Sequence, residues 1–220
     1  MSATTAPVSL RIDFVSDVSC PWCAIGLTAL QQALARLGDS VVADIHVQPF
    51  ELNPQMPAAG EDAIEHLQRK YGSSAAEIRD NQEGIRARGA ALGFRFDMDK
   101  RQRVYNTFDA HRLLHWAELE GRQLALKQLL LRAYFTDGED VSDHATLARL
   151  AGEAGLDVDH ARGILADGSY AAEVRAQEQV YLDHGIHSVP ATIINNRHLI
   201  SGGQPPEAFE QALRQVAKLA

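Results

Sequence analysis

Apolar and polar residues alternate near the start of the chain. In the segment "SLRIDFVSD", residues 9–17, Leu10, Ile12 and Phe14 fall on one side of an extended backbone. This period of two is typical of a β-strand with one buried face, so a strand is predicted here. A second strand is predicted over residues 41–52, "VVADIHVQPFEL".

Between these two strands the apolar spacing changes to three and four residues. The leucines of residues 27–37 recur at that spacing, which places them on one face of a helix. Pro21 stands just inside the predicted start of the helix and Gly38 just past its end. Both positions are usual for these residue types. The first part of the chain therefore reads as strand, helix, strand.

Helical patterns fill the middle of the chain. Residues 53–62, "NPQMPAAGED", are rich in proline and glycine and read as a linker, and helices are predicted almost throughout residues 62–184. Beyond them, two short apolar runs flank Asn195-Asn196, which predicts a hairpin. A last helix is predicted over residues 206–219.

The predicted order is therefore β-α-β, a large helical insertion, then β-β-α, which is an α/β fold. We expect three segments along the chain. Residues 1–58 form the first part of the α/β domain, residues 59–184 form the helical insertion, and residues 185–220 complete the α/β domain.

Composition narrows the class of protein. Hydrophobic residues make up 45% and charged residues 23%, which is ordinary for a soluble globular protein. A net charge of −8 repels phosphate backbones, so we expect no nucleic-acid partner. No apolar run is long enough for a membrane span, and the N-terminus lacks a secretory signal pattern. The expected location is the cytoplasm, without membrane association.

The candidate chemistry centres on Cys20 and Cys23, the two cysteines of the sequence. A C-x-x-C pair that follows a strand and opens a helix is the thioredoxin-type redox arrangement. At the N-cap, Cys20 faces unpaired backbone N–H groups and the positive end of the helix dipole, which stabilise a thiolate. Cys23, in the first turn, is close enough to form a disulfide with Cys20, and we expect it to be more buried.

Two other interpretations of the pair remain. A zinc site needs four ligands, and a second C-x-x-C is absent, although His111 and His115 lie one helical turn apart and could contribute. An inert buried pair is the other alternative. Redox chemistry is favoured over both, and no metal is expected.

A second sequence feature that indicates a redox site lies at Val189-Pro190. These residues precede an apolar strand, where thioredoxin-like sites place a cis-proline loop opposite the dithiol. We therefore expect a cis peptide bond before Pro190. An ordinary trans proline that opens a strand is the alternative.

Taken in order, these features resemble the DsbA family of thiol-disulfide oxidoreductases. Further stretches are similar to its cytoplasmic FrnE-like branch, known as polyketide-biosynthesis dithiol-disulfide isomerases. They are "PFELNP" (49–54), "NTFDAHRLLHWA" (106–117), "AYFTDGEDVSD" (133–143), "GIHSVPATIINN" (185–196) and "ISGGQPPEAFEQAL" (200–213). The resemblance spans nearly the whole chain.

The resemblance implies a thioredoxin-like domain interrupted by an all-helical insertion. It also implies disulfide exchange, with Cys20 as the nucleophile and Cys23 as the thiol that resolves the mixed disulfide. In such sites Pro190 is the cis-proline, and the backbone of Val189 holds an extended substrate. No cofactor is implied beyond the redox-active pair, although glutathione is a candidate co-reductant.

The dipeptide between the cysteines, Pro21 and Trp22, tunes the potential and lies where substrates bind in this family. DsbA-like oxidases usually have histidine at the position of Trp22. Without that imidazole, we expect a weaker oxidant than the strongest members of the family.

Three further positions are candidates. His111 could stabilise a thiolate or bind an acidic substrate group, or it could be structural. Asn53 could meet a substrate backbone or serve in a turn. A carboxylate near the end of the first strand, Asp13 or Asp17, could accept a proton from Cys23, with capping as the alternative.

The predicted function is therefore that of a cytoplasmic thiol-disulfide oxidoreductase or isomerase. Its expected partners are proteins or small molecules that carry a thiol or disulfide, and a homodimer is one option for its assembly. One alternative is a glutathione-dependent transferase or isomerase of the kappa-class type. Those enzymes typically have serine in place of Cys20 and lack the resolving cysteine. A redox-linked chaperone is another alternative.

Overall fold

A computed structural model of the protein describes residues 6–219; residues 1–5 and 220, at the ends of the first and last predicted segments, lie outside the described residues. The strands are β1 (Val8–Ser16), β2 (Val41–Pro49), β3 (Glu61–Asp62), β4 (Arg103–Val104), β5 (Ala191–Ile194) and β6 (His198–Ser201). The helices are α1 (Pro21–Leu37), α2 (Ala63–Tyr71), α3 (Ala75–Ala91), α4 (Phe108–Leu119), α5 (Gln123–Arg132), α6 (His144–Glu153), α7 (Val158–Asp167), α8 (Ala171–Asp183) and α9 (Pro206–Ala217).

A four-stranded mixed sheet in the order β2-β1-β5-β6 forms the base of the molecule. Strand β1 pairs in parallel with β2 and antiparallel with β5, so that Ile12 lies opposite Ile45 on one side and Ile194 on the other. Ile12 and Phe14 are fully buried because β1 is an inner strand of this sheet. The predicted order β-α-β, helices, β-β-α is confirmed.

The predicted hairpin is present between β5 and β6. Asn195 and Asn196 have positive φ angles of 52° and 53°, a conformation that asparagine tolerates in tight hairpin turns. The Asn195 side chain accepts a hydrogen bond from the Arg11 amide at 3.0 Å, and the Asn195 amide donates to the Arg11 carbonyl at 2.8 Å. These two bonds tie the turn to β1.

The second strand is shorter than predicted. It ends at Pro49 rather than at Leu52. The reason is local, because the Leu52 amide donates to the Asp17 carboxylate at 2.7 Å instead of to a neighbouring strand. A small sheet of β3 and β4 was not predicted, since two-residue strands leave no periodic signal.

Helices α3 to α7 share one apolar core with β1 and α1. At the contact between α5 and β2, the Gln123 side chain accepts from the Val47 amide at 2.7 Å and donates to the Val47 carbonyl at 2.9 Å. The side chain thus pairs with β2 as a neighbouring strand would, and it fixes α5 against the sheet. The division of the chain at residues 58 and 184 into separate domains stays a prediction.

The loop between β6 and α9 lies close to the first turn of α1. A Cβ atom added to Gly203 would stand 2.9 Å from the Trp22 carbonyl oxygen, closer than packed atoms allow. We expect Gly203→Ala to push this loop away from the C-x-x-C turn and to lower the free energy of unfolding by about 1–3 kcal/mol. Urea denaturation measures the change.

The matched control is Gly163→Ala in α7, where an added Cβ meets no atom within 4 Å. Alanine is the better helix former, so this variant is expected to gain about 0.5–1 kcal/mol. Equal effects of the two substitutions would show that the approach of Gly203 to α1 is not a constraint.

Candidate active site

The C-x-x-C turn joins β1 to α1. Cys20 is the N-cap, in an extended conformation with φ −93° and ψ 113°, and its side chain makes no capping hydrogen bond. Its carbonyl accepts from the amides of Cys23 at 3.1 Å and Ala24 at 3.4 Å, which begins the helix. Pro21 follows as the first helical residue, where a missing N–H costs nothing. The positive end of the helix dipole therefore lies at Cys20, where it favours a thiolate.

The two sulfurs lie in different environments, and both cysteines are free thiols. Both side chains are buried, but Cys20, at 3% exposure, lines a cleft of about 800 Å³, whereas Cys23, at 0%, is not among the residues that line it. Burial raises the pKa of Cys23 well above its ordinary value, and interaction with Cys20 raises it further, while the charge of Lys127 opposes the change. Cys20 is therefore the thiol that can meet a substrate.

The segment that carries Pro190 faces Cys20 from across the cleft. The peptide bond between Val189 and Pro190 is cis, as expected. The Cys20 thiol donates to the Val189 carbonyl at an Sγ–O distance of 3.6 Å. Behind them, a Cβ atom on Gly26 would stand 3.1 Å from Pro190 Cγ, so glycine lets α1 approach this loop closely.

The walls of the cleft come from both parts of the chain. One wall is formed by the Cys20 turn, the segment after β2 and residues 187–189, and the other by α2, α3, Arg101 and Val104. Trp22 is 36% exposed at the rim, with the Arg88 guanidinium 5.1 Å from the centre of its ring. Helices of the predicted insertion thus stand directly over the nucleophile.

Asp17 holds the base of the site. It is 0% exposed, and it accepts hydrogen bonds from the Ser19 amide at 3.2 Å, the Ser19 hydroxyl at 3.0 Å and the Leu52 amide at 2.7 Å. Burial alone would raise the pKa of Asp17, but His111, the Leu52 amide and Lys127 outweigh it and lower the pKa to about 2. So weak a base remains ionised and does not suit the predicted role of accepting a proton from Cys23. Asp13, the other candidate, is engaged by Arg11 at 2.7 Å.

His111 is not among the residues that line the cleft, and its candidate role in substrate binding stays a prediction. It is 1% exposed on α4, and its Nε2 stands 3.5 Å from Asp17 Oδ1. That distance is too long for a well-formed hydrogen bond. Its position favours the structural alternative, in which α4 is held against the end of β1.

Asn53 lines the cleft, which is where a substrate backbone would bind. It also forms a turn, which is the alternative role. Its carbonyl accepts from the Met56 amide at 3.0 Å. Its side-chain oxygen accepts from Lys70 Nζ at 2.8 Å and lies 3.0 Å from His66 Nε2. These contacts fix the amide at the wall of the cleft.

Sequence reasoning missed Lys127. It is fully buried in α5, and its Nζ has no hydrogen-bond partner among the described residues. Burial lowers its pKa, while Cys23 and Asp17 oppose that change. The available signal was its spacing, three residues before Leu130 and four before Leu131, on the apolar face of the helix. The charge of this amine lowers the pKa values of both Cys23 and Asp17.

Within residues 6–219, no group of three or more His, Cys, Asp or Glu residues is arranged to hold a metal ion. None of the described helices has the length and apolar composition that a membrane crossing requires.

A family model, the DSBA-like thioredoxin domain, matches residues 11–214. The chain belongs to this family. The predicted fold class and family are therefore confirmed, and the protein is an enzyme of the disulfide oxidoreductase and isomerase class that acts on thiols or disulfides. Its membership of the FrnE-like branch stays a prediction.

Three known proteins illustrate the relationship. A probable DsbA oxidoreductase from Streptomyces coelicolor is 36% identical, with a TM-score of 0.87 over 94% of this chain and 89% of that one. The cytosolic disulfide reductase DsbM from Pseudomonas aeruginosa, solved with GSH, is 16% identical with a TM-score of 0.65 over 95% and 100%, which shows a shared fold. The uncharacterised protein YwbO of Bacillus subtilis is 24% identical over 212 residues, 96% of this chain and 99% of that protein.

The low pKa of Asp17 gives a testable dependence of stability on pH. The Asp17 carboxyl has a pKa near 3.8 in the unfolded chain and about 2 in the folded chain. The ionised carboxylate therefore stabilises the folded state above pH 4, and this stabilisation is lost as the pH falls toward 2. At about 1.4 kcal/mol per pH unit, the contribution at neutral pH is about 2–3 kcal/mol. Roughly half of it should be lost by pH 3.

Urea denaturation of the wild-type protein and Asp17→Asn between pH 7 and pH 3 measures this contribution. The difference in the free energy of unfolding between the two proteins should narrow as the pH falls, because asparagine does not titrate. Asp39→Asn, at an exposed position, is the control and should follow the wild-type curve. A constant difference in the free energy of unfolding between the wild-type protein and Asp17→Asn across this range would show that ionisation of the buried carboxylate does not stabilise the folded state.

Proposed function

We propose that this protein exchanges disulfides through the Cys20–Cys23 pair, with Cys20 as the nucleophile and Cys23 as the resolving thiol. The observation that carries the proposal is the contrast between the two sulfurs. Cys20 opens on the cleft at a helix N-terminus, and Cys23 is buried one turn behind it. A thiolate at the first position attacks, and a thiol at the second waits for the mixed disulfide.

In the reducing direction, the Cys20 thiolate attacks one sulfur of a substrate disulfide and releases the other as a thiolate. Cys23 then loses its proton and attacks Cys20 Sγ, which frees the second substrate thiolate and leaves a Cys20–Cys23 disulfide. The substrate gains two electrons and the enzyme loses two. The nearby amine of Lys127 supports deprotonation of Cys23, because its positive charge lowers the pKa of that thiol.

The surroundings of Cys20 support the assigned substrate contacts. The carbonyl of Val189, before the cis peptide bond to Pro190, lies within reach of Cys20 Sγ and would hold an extended substrate segment. Pro21 and Trp22 line the same cleft, and the indole offers a flat apolar surface at its rim.

We further propose that the protein works in the cytoplasm, as a reductase or isomerase. Tryptophan at position 22 supports this direction, since it supplies no imidazole to stabilise the thiolate and thereby strengthen an oxidant. A thiol must return the enzyme disulfide to the reduced state, and glutathione is our candidate. The shared fold with a cytosolic disulfide reductase solved with GSH is consistent with that choice.

Trapping of the mixed disulfide tests the assignment of roles. Cys23→Ser, incubated with a peptide disulfide, should accumulate an adduct at Cys20 that peptide mass mapping detects, because the resolving thiol is absent. Cys20→Ser should accumulate none and should lose insulin-disulfide reduction, since Cys23 is buried.

Retention of insulin reduction by Cys20→Ser would contradict the proposal. Suppression of aggregation by Cys20→Ser, with exchange lost, would place a chaperone role beside the enzyme.

A further inference from the structure

Arg101 is a buried cation without an acidic partner. The residue is 7% exposed and lines the cleft that holds Cys20. Its Nε donates to the Tyr134 hydroxyl at 3.0 Å, and among the described residues its two terminal nitrogens have no hydrogen-bond partner and no carboxylate. Buried charges in proteins are usually paired, so a guanidinium left open toward a cleft is suited to an incoming anion.

The guanidinium is held in place from behind. It stacks over the ring of Tyr134, with 5.2 Å to the ring centre, and over that of Phe135, with 5.5 Å. Both aromatic residues belong to the π-helical segment Ala133–Asp137 that follows α5. The Tyr134 hydroxyl also donates to the Arg103 carbonyl at 3.0 Å, which fixes the segment that follows Arg101.

Lys70 is a second cation on the same wall, at the end of α2. Its Nζ donates to the Leu52 carbonyl and to the Asn53 side chain, both at 2.8 Å. Both partners are neutral, and within residues 6–219 no carboxylate pairs with it. Lys70 therefore brings to the cleft a positive charge that forms no ion pair among the described residues, as Arg101 does.

The acids nearby do not cancel these charges. Glu51 is the one acidic residue among those of the described chain that line the cleft, and Arg175 on α8 already forms an ion pair with it. The whole chain carries a net charge of −8. The cleft, with its two unpaired cations, is therefore locally positive although the chain as a whole is acidic. A substrate anion could bind there without an opposing carboxylate.

We propose that the cleft selects disulfide or thiol substrates that carry a carboxylate close to the reacting sulfur, with Arg101 and Lys70 as the residues that bind it. This inference rests on the proposed function, because Arg101 and Lys70 line the same cleft as Cys20. The fork of the arginine matches a carboxylate in two parallel hydrogen bonds, and the aromatic residues behind it keep it oriented. The same chemistry admits a small acidic disulfide or an acidic peptide segment.

Two matched peptide disulfides test the proposal, identical except for Glu or Gln beside the cysteine. The wild-type protein should reduce the Glu peptide with a kcat/KM about tenfold higher than the Gln peptide. Arg101→Met should lose most of that preference through a higher KM for the Glu peptide, while the Gln peptide changes by less than about twofold. Higher salt should weaken the preference of the wild-type protein.

Two more variants separate recognition from folding. Lys70→Met alters an exposed side chain and should reduce the Glu preference without affecting the fold. Arg162→Met changes an arginine that is 67% exposed on α7 and should leave both peptides unchanged. Glutathione disulfide serves as a small-molecule probe. If Arg101→Met loses as much activity toward glutathione disulfide as toward the Glu peptide, the site also takes small disulfides. If the loss is confined to the Glu peptide, the site binds peptide segments.

Equal turnover of the Glu and Gln peptides by the wild-type protein would overturn this inference and leave the proposed function intact. Equal losses for both peptides in Arg101→Met and Lys70→Met would also overturn it, because the two cations would then act on the fold rather than on the anion. Absence of exchange with either peptide would overturn the proposed function, and this inference with it.

Discussion

The buried carboxylate of Asp17 joins the dithiol to its surroundings. It accepts hydrogen bonds from Ser19, next to Cys20, and from Leu52, which follows β2, and it faces His111 of α4. One charge thus links the C-x-x-C turn, the segment after β2 and helix α4. A buried carboxylate is tolerated only where such partners surround it, and the shortening of β2 follows from that requirement.

The same arrangement gives the two thiols different chemistry. The first turn of α1 places Cys20 at the amide-rich end of the helix, facing the cleft and Val189. Cys23 lies one turn inside the protein, where burial disfavours its thiolate and Lys127 partly compensates. One thiol meets the substrate and the other is withheld until a mixed disulfide forms. The asymmetry arises from position along a single helix.

Local patterns in the sequence were sufficient for most of the fold and for the chemical centre. Strand, C-x-x-C and helix are adjacent in the chain, and Val189-Pro190 carries its own signal before β5. Arg101 could not be assigned in this way, because its significance depends on which groups do not pair with it in three dimensions. The spacing of Lys127 placed it on the apolar face of α5, but its proximity to Cys23 and Asp17 is visible only in the fold. His111 shows the converse, since its position in "AHRLLHWA" did not reveal that the ring is buried against Asp17.

A redox titration of the protein in glutathione buffers tests the central claim most directly, with the Cys20–Cys23 disulfide quantified by thiol alkylation and mass spectrometry. The pair should titrate as a single two-electron couple. Its midpoint potential should be closer to that of thioredoxin, about −270 mV, than to that of DsbA, about −120 mV. A midpoint near that of DsbA would reverse the proposed direction of exchange. Failure of the pair to form an intramolecular disulfide at any potential would contradict the account.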